Sequence, residues 1–346
     1  MGAWNTDSGA SIHAELIGRE WVKAGHQLSV FTFFENSIHG TAITNKDEDY
    51  VNRCFTTSTD PKVKLNPIPF LKEDYDFFIV EDLGMLPQDP LGNLFHWIRK
   101  KAKTINIIHD GRLSEDPSFY QFNWDAVVGF DQRYLDFLKK AYPAGLLHQI
   151  SYPCHPLTIG DKKAARKRLK LPIEKKILLI FGQAARTGIK TIPWILKYSS
   201  NYPLLILVVS GDKEALMEAR LYSRIGDIDI REEILTISQL YDYLHSCDAL
   251  IFNKPSQPHV VVSSTVFQCL GSGCPIIARE SNAIETLQDE VLVFRNRREF
   301  GECLIEVCEQ HEKYKNVIRK AENYVLNNSS ERVAERFIEL FGYLKK

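Results

Sequence analysis

The chain has 346 residues, 44% hydrophobic and 25% charged, with a formal charge of −1 at neutral pH. That length carries two domains, each large enough to bury its own core, and the near-zero charge gives no broad electrostatic reason to hold nucleic acid. No stretch approaches the roughly eighteen consecutive apolar residues of a membrane span, and the first residues lack a signal pattern, so a cytoplasmic protein is expected.

In chain order, Met1 to Trp4 are too few for a full first strand, which is either a stub or the end of a longer one. The polar turn from Asn5 to Ala10 leads into a helix predicted over Ile12 to Ala24 and closed by Gly25, with a strand over Gln27 to Phe33 next. Further buried strands are predicted over Phe77 to Glu81, Thr104 to His109 and Asp125 to Phe130. They alternate with helices over Leu91 to Lys101 and Gln132 to Ala141, the pattern of a doubly wound α/β domain. Residues 35 to 66 are polar and irregular and receive no assignment. The proline-bounded stretch Pro153 to Glu174 reads as a linker with a lead-in helix. A second series opens at Lys176, with strands over Ile177 to Phe181 and Leu204 to Ser210, and the chain closes on an amphipathic helix over Glu331 to Leu344. Seven scattered cysteines without paired ligand spacing read as buried free thiols.

The segment from Glu233 to Ala278 is the richest. It predicts a helix over Gln239 to Ser246, a strand over Ala249 to Phe252, a helix opening at Ser263, Ser264 and Thr265, and a strand over Pro275 to Ala278. A helix that starts on small hydroxyl residues offers unpaired amides and the positive end of its dipole to an anion such as a diphosphate. The same residues equally make an ordinary cap.

These elements resemble the retaining nucleotide-sugar glycosyltransferases of GT-B fold, the family 4-like group. The resemblance runs through SGASIHAELIGREWVKAGHQLSVFTF near the start, YPCHPL and ARKRLKLPIEKKILLIFGQ after the linker, YDYLHSCDALIF followed by GSGCPIIA, and VLNNSSERVAERFIELFGYL at the end. It implies two Rossmann-like domains facing across a cleft: an acceptor-side domain over 1–152, a nucleotide-sugar domain over 153–327, and a helix over 328–346 that packs back on the first. Two departures stand out. The family's paired glutamates, with seven residues between them, are Val260 and Gln268 here, and the arginine of its G-R turn is Gln183. Gln268 keeps the capacity to bond ribose hydroxyls, whereas Val260 has no polar group.

The resemblance also assigns the candidate site. His109, at the carboxyl edge of a strand, would face the donor sugar and act in catalysis together with Arg186, and Arg186 and Lys190 would reach the diphosphate. Ser263, Ser264 and Thr265 would hold the same phosphates, Gln268 the ribose, and the turn Ser8, Gly9 and Ala10 would approach from the first domain. The plain alternatives are a structural histidine, solvated surface cations and ordinary caps. The implied activity is transfer of a sugar from a nucleoside diphosphate sugar to a hydroxyl acceptor with retention of configuration, with no cofactor and no metal ion. A catalytically inactive sugar-nucleotide-binding subunit and a GT-B epimerase remain as alternatives. The segment Leu94 to Lys103 mixes aromatics with cations. It is either a solvated helix with a core face or a contact with an inner membrane surface bearing a lipid-linked acceptor.

Overall fold

A computed structural model describes residues 1–37, 41–287 and 289–346. The chain divides into two compact units. The first comprises Met1–Pro153, His259–Ser264 and Ser330–Lys346, and the second Cys154–Pro258 and Thr265–Ser329.

In the first unit the order is α1 (Gly9–Lys23), β1 (Val30–Phe33), β2 (Val51–Phe55), α2 (Ile68–Lys72), β3 (Phe77–Glu81), α3 (Gln88–Lys101), β4 (Lys103–Ile107), β5 (Ala126–Gly129), α4 (Gln132–Leu138) and β6 (Leu147–Gln149). β1 pairs with β2, and β3, β4, β5 and β6 pair in that order, all parallel. The opening residues bridge the two groups. Gly2 N donates to Phe31 O (3.1 Å), Met1 N to Ile79 O (2.7 Å) and Glu81 N to Met1 O (2.9 Å). The stub therefore fills a strand position between β1 and β3. Glycine is required at position 2, because a Cβ there would stand 2.7 Å from Glu81 Cβ. From this stub the chain winds first toward β2 and then toward β6, which creates a topological switch point at its carboxyl end.

Local boundaries move where side chains cap or expose the backbone. α1 begins at Gly9, ahead of the predicted Ile12, because Ser8 is the N-cap and its side chain accepts from Ser11 N. The strand predicted over Gln27 to Phe33 shrinks to Val30–Phe33, four fully buried residues. The unassigned stretch contains β2, although residues 38–40 within it lie outside the described residues. α3 turns Leu91, Phe95 and Ile98 into the core and leaves Trp97 exposed, with Lys100 Nζ 4.2 Å over its ring. Among the described residues no helix is long and apolar enough to cross a membrane.

The second unit runs α5 (Lys162–Leu169), β7 (Lys176–Phe181), α6 (Ala185–Gly188), α7 (Ile192–Ile195), β8 (Leu204–Ser210), α8 (Lys213–Tyr222), β9 (Ile228–Glu232), α9 (Ile237–Ser246), β10 (Ala249–Phe252), α10 (Ser264–Leu270), β11 (Ile276–Arg279), β12 (Leu292–Phe294), α11 (Arg297–Glu309) and α12 (Glu312–Asn328). Ser264, the first residue of α10, groups with the first unit. The parallel sheet has the order β12-β11-β10-β7-β8-β9, with a second switch point between β7 and β10. Its central strands β8 and β10 are buried throughout, so they read as unbroken apolar runs. Arg166 pins α5 to this sheet. Its guanidinium donates to Asp248 Oδ2 (2.7 Å), Ser246 O (2.8 Å) and Ile173 O (2.6 Å), and Asp248 also accepts from Ile177 N (2.8 Å). Removing one partner of so buried a pair costs about 3–5 kcal/mol.

The last helix, α13 (Ser330–Leu344), belongs to the first unit. Trp21 Nε1 donates to Ala334 O (3.2 Å), and Phe341 stacks on Phe77 with ring centroids 4.3 Å apart. All seven cysteines are buried and free.

Candidate functional site

The first unit holds a cavity of about 190 Å³ at its switch point. Ser8, Gly9 and Ala10 line it together with His109, Ser264, Asp82 and the rings of Phe130, Tyr134 and Tyr152. The anticipated turn and the anticipated histidine thus meet at one place. Ser8 is a helix cap rather than part of a free loop, and Gly9 and Ala10 form the first turn of α1. A Cβ on Gly9 would lie 3.4 Å from Ser264 Oγ, and Tyr152 Oη donates to Gly9 O (2.7 Å). The segment bearing Ser264 is seated by Val260 N donating to Gly111 O (3.1 Å). Gly111 has no room for a side chain, since a Cβ would come within 1.6 Å of Val260 O.

His109 follows β4 by two residues, and its Nε2 donates to Glu81 Oε2 (2.7 Å). Glu81 Oε1 accepts from His13 Nδ1 (3.0 Å) on α1. Burial pushes the Glu81 carboxyl upward, but the two imidazoles outweigh it and hold Glu81 at about 2. Burial also opposes charge on His109, yet the hydrogen bond and charge of Glu81, with Asp82 and Asp110 behind them, raise it above the ordinary imidazole value. His13 goes the other way, lowered by burial despite Glu81. Geometry supports this division. His13 Nε2 is buried without a hydrogen-bond partner among the described residues, with Phe130, Tyr152 and Phe337 packed around the ring, so a second proton there would be unpaired. Glu81 thus favours the protonated form of His109 while burial favours the neutral form of His13, and His109 Nδ1 is the nitrogen left for a ligand.

The same three residues bring ligand atoms within 4.8 Å of one another, and two imidazoles with a carboxylate have the composition of a zinc site. In this arrangement, however, each carboxylate oxygen already accepts a hydrogen bond from an imidazole.

Asp82 was not legible as a site residue. It follows β3 with a left-handed backbone (φ 60°, ψ 71°), and burial, then the neighbouring Asp110 and Glu81 charges, push its carboxyl up to about 6 against the pull of His109. Its signal in the sequence was a carboxylate directly after a buried strand, where α/β sites gather.

In the second unit, Arg186 and Lys190 follow β7 as anticipated, beyond Gly182 at φ +68°. Both are exposed. Arg186 is engaged by acids: Nε bonds Asp212, and Nη2 reaches Asp212 Oδ1 (3.3 Å) and Glu214 (3.0 Å). The hydrogen bond to Arg186 draws the Asp212 carboxyl below its usual value. Thr265 and Gln268 sit half-buried on α10, with Gln268 O accepting from Tyr241 Oη (3.0 Å), and Ser263 is buried just before the helix. The neighbouring strand β10 is followed by two residues that went unnoticed in the sequence. Asn253 donates from Nδ2 to Thr187 O (2.7 Å) and leaves Oδ1 buried without a partner among the described residues. Lys254 is half-buried, and burial lowers its pKa. A cation desolvated at a switch point is stabilised by an arriving anion.

No protein-family model matches the sequence. Solved structures do. A glycosyltransferase from Rickettsia africae ESF-5 superposes with a TM-score of 0.70 at 15% identity, over 100% of this chain and 97% of that one. Sucrose-phosphate synthase from Thermosynechococcus elongatus gives 0.68 at 14% identity, over 97% and 94%. WaaG, a glycosyltransferase involved in lipopolysaccharide biosynthesis, gives 0.62 at 10% identity, over 98% and 97%. At these identities the likeness is one of fold. The chain has the α/β fold of GT-B glycosyltransferases, built of two Rossmann-like units.

Proposed function

We propose that this protein transfers a sugar from a nucleoside diphosphate sugar to a hydroxyl acceptor, with retention of anomeric configuration and without a metal ion. The observation that carries the reading is His109, bonded to Glu81, on the wall of a switch-point cavity in a chain of GT-B fold. A charged imidazole fixed by a carboxylate is a preorganised donor for a sugar hydroxyl and for charge that develops as the glycosidic bond breaks. Asp82 accepts from an acceptor hydroxyl and orients it, while the rings of Phe130, Tyr134 and Tyr152 supply apolar walls. Arg186, Lys190 and Lys254 furnish cations for the diphosphate. In the reaction, the bond from the anomeric carbon to phosphate oxygen breaks and its electron pair leaves with the diphosphate. The acceptor oxygen bonds that carbon on the same face, and its proton passes to the departing phosphate oxygen.

Thermal denaturation with UDP, GDP, ADP and their sugar conjugates tests the reading, because a ligand stabilises only the folded form that binds it. One nucleotide series is expected to raise the melting temperature, and Lys254→Ala is expected to weaken that binding roughly tenfold or more. No shift with any donor would refute the proposal. Val260 and Gln268 at the positions of the family's two glutamates favour a second reading, a sugar-nucleotide-binding protein without catalysis. Binding with no nucleotide released on prolonged incubation with acceptors would select it.

A further inference from the structure

The first unit carries a second hollow, a groove of about 790 Å³ that shares no residue with the cavity beside His109. One wall is a single face of α3, where Asp89, Gly92, Asn93, His96, Arg99 and Lys100 recur at three- and four-residue spacing and fall within about a third of the helix circumference. The segment Gln121 to Asn123 forms the other wall. Between them Phe95 and Phe122, both buried, meet edge to face with ring centroids 5.0 Å apart. At the rise of an α-helix, the wall from Asp89 to Lys100 runs for about 16 Å, the length of about three sugar rings.

The chemistry of the walls is that of a hydroxyl-rich ligand. Asn93, Gln121 and Asn123 are exposed, and among the described residues no hydrogen bond engages their side-chain amides. Each amide offers a donor and an acceptor in one plane, the complement of neighbouring hydroxyls on a sugar ring. Gly92 keeps the middle open, since a Cβ there would stand 3.3 Å from Gln121 Nε2. A peptide would want apolar pockets for its side chains, whereas the two phenylalanines and Gly92 are the only lining residues without a polar side chain. The charges lie apart. Asp89 stands at one end, with Arg99 and Lys100 at the other. There the one carboxylate of Asp125 is shared between Arg99 (3.7 Å) and Lys103 (3.6 Å), and Lys100 lies over the Trp97 ring with no carboxylate partner among the described residues, so this end keeps an excess of positive charge.

We propose that this groove binds an acidic oligosaccharide, its hydroxyls on Asn93, Gln121 and Asn123 and its carboxylate or phosphate on Arg99 and Lys100. Binding there needs neither donor nor turnover, so the site stands or falls apart from the transfer reaction.

Calorimetric titration of the full chain tests this with two matched pairs, trigalacturonate against its methyl ester and maltotriose phosphate against maltotriose. At least one acidic probe is expected to bind about tenfold or more tightly than its uncharged counterpart, with an affinity that falls as salt is raised. Which pair responds tells carboxylate from phosphate. Asn93→Ala and Gln121→Ala are each expected to weaken that binding about tenfold, and Arg99→Gln to reduce the preference for the charged probe. All three positions are exposed, so circular dichroism and melting temperature should match the wild type. Failure of both acidic probes to bind, equal affinity for charged and uncharged probes, or full affinity in Asn93→Ala and Gln121→Ala overturns the proposal.

Discussion

Replacing His109 with alanine is expected to lower sugar transfer by a hundredfold or more, the usual effect of deleting a donor that acts on charge developing in the transition state. The loss should fall on kcat, with KM for the donor little changed, since the cations proposed to hold the diphosphate belong to the second unit. A pH profile gives a sharper test than the deletion. Glu81 raises His109 above the ordinary imidazole value, so turnover should decline as pH rises through that raised value, at higher pH than an unpaired imidazole would give. Glu81→Gln keeps a hydrogen-bonding oxygen but removes the charge, and its profile should decline at lower pH than the wild type. The corresponding stability terms follow by linkage. The depressed Glu81 contributes stability that is present above its ordinary value of 4.5 and lost as pH falls toward 2. The raised His109 contributes stability that is present below 6.5 and lost as pH rises through its folded value. Equal profiles in wild type and Glu81→Gln would show that the carboxylate does not govern His109.

The sequence revealed the architecture wherever burial on both faces imposed an unbroken apolar run. β8 and β10 fall at their predicted residues for that reason. The opening stub was anticipated, but its place between β1 and β3 was not legible, because three hydrogen bonds from Met1, Gly2 and Glu81, rather than any pattern of side chains, make it part of the sheet. His109 was legible from its place at a strand end. Glu81 was not, since its partners lie 28 and 68 residues away and a carboxylate closing a strand looks like any turn entry. Arg186 was legible as a cation after β7, but its pairing with Asp212 depends on the N-cap of a helix 26 residues on. Lys254 was passed over because the adjacent serines carried the expected anion pattern, while what distinguishes it is partial burial, which only folding reveals.

Asp82→Asn is expected to stabilise the folded protein at neutral pH by about 1–3 kcal/mol while lowering its activity. The sign follows from the direction of the shift. An aspartate ordinarily ionises near 3.8, whereas burial and the charges of Asp110 and Glu81 delay ionisation of Asp82 to about 6. Above that pH the folded state carries a carboxylate it disfavours and the unfolded state does not, so ionisation of Asp82 costs stability. The gain from asparagine should therefore be absent below pH 3.8, grow between 3.8 and about 6, and stay level above. Backbone strain does not confound the comparison, because asparagine tolerates the left-handed conformation at φ 60° as readily as aspartate. Urea denaturation of both proteins at acidic and mildly alkaline pH measures the difference, and a variant no more stable than wild type at the alkaline end would show that the carboxylate is comfortable where it stands. A residue that weakens the fold while facing the cavity beside His109 fits strain held in place by use. Stabilisation joined to lost transfer would identify Asp82 as the group that receives the acceptor hydroxyl, and stabilisation with full activity would make it a bystander.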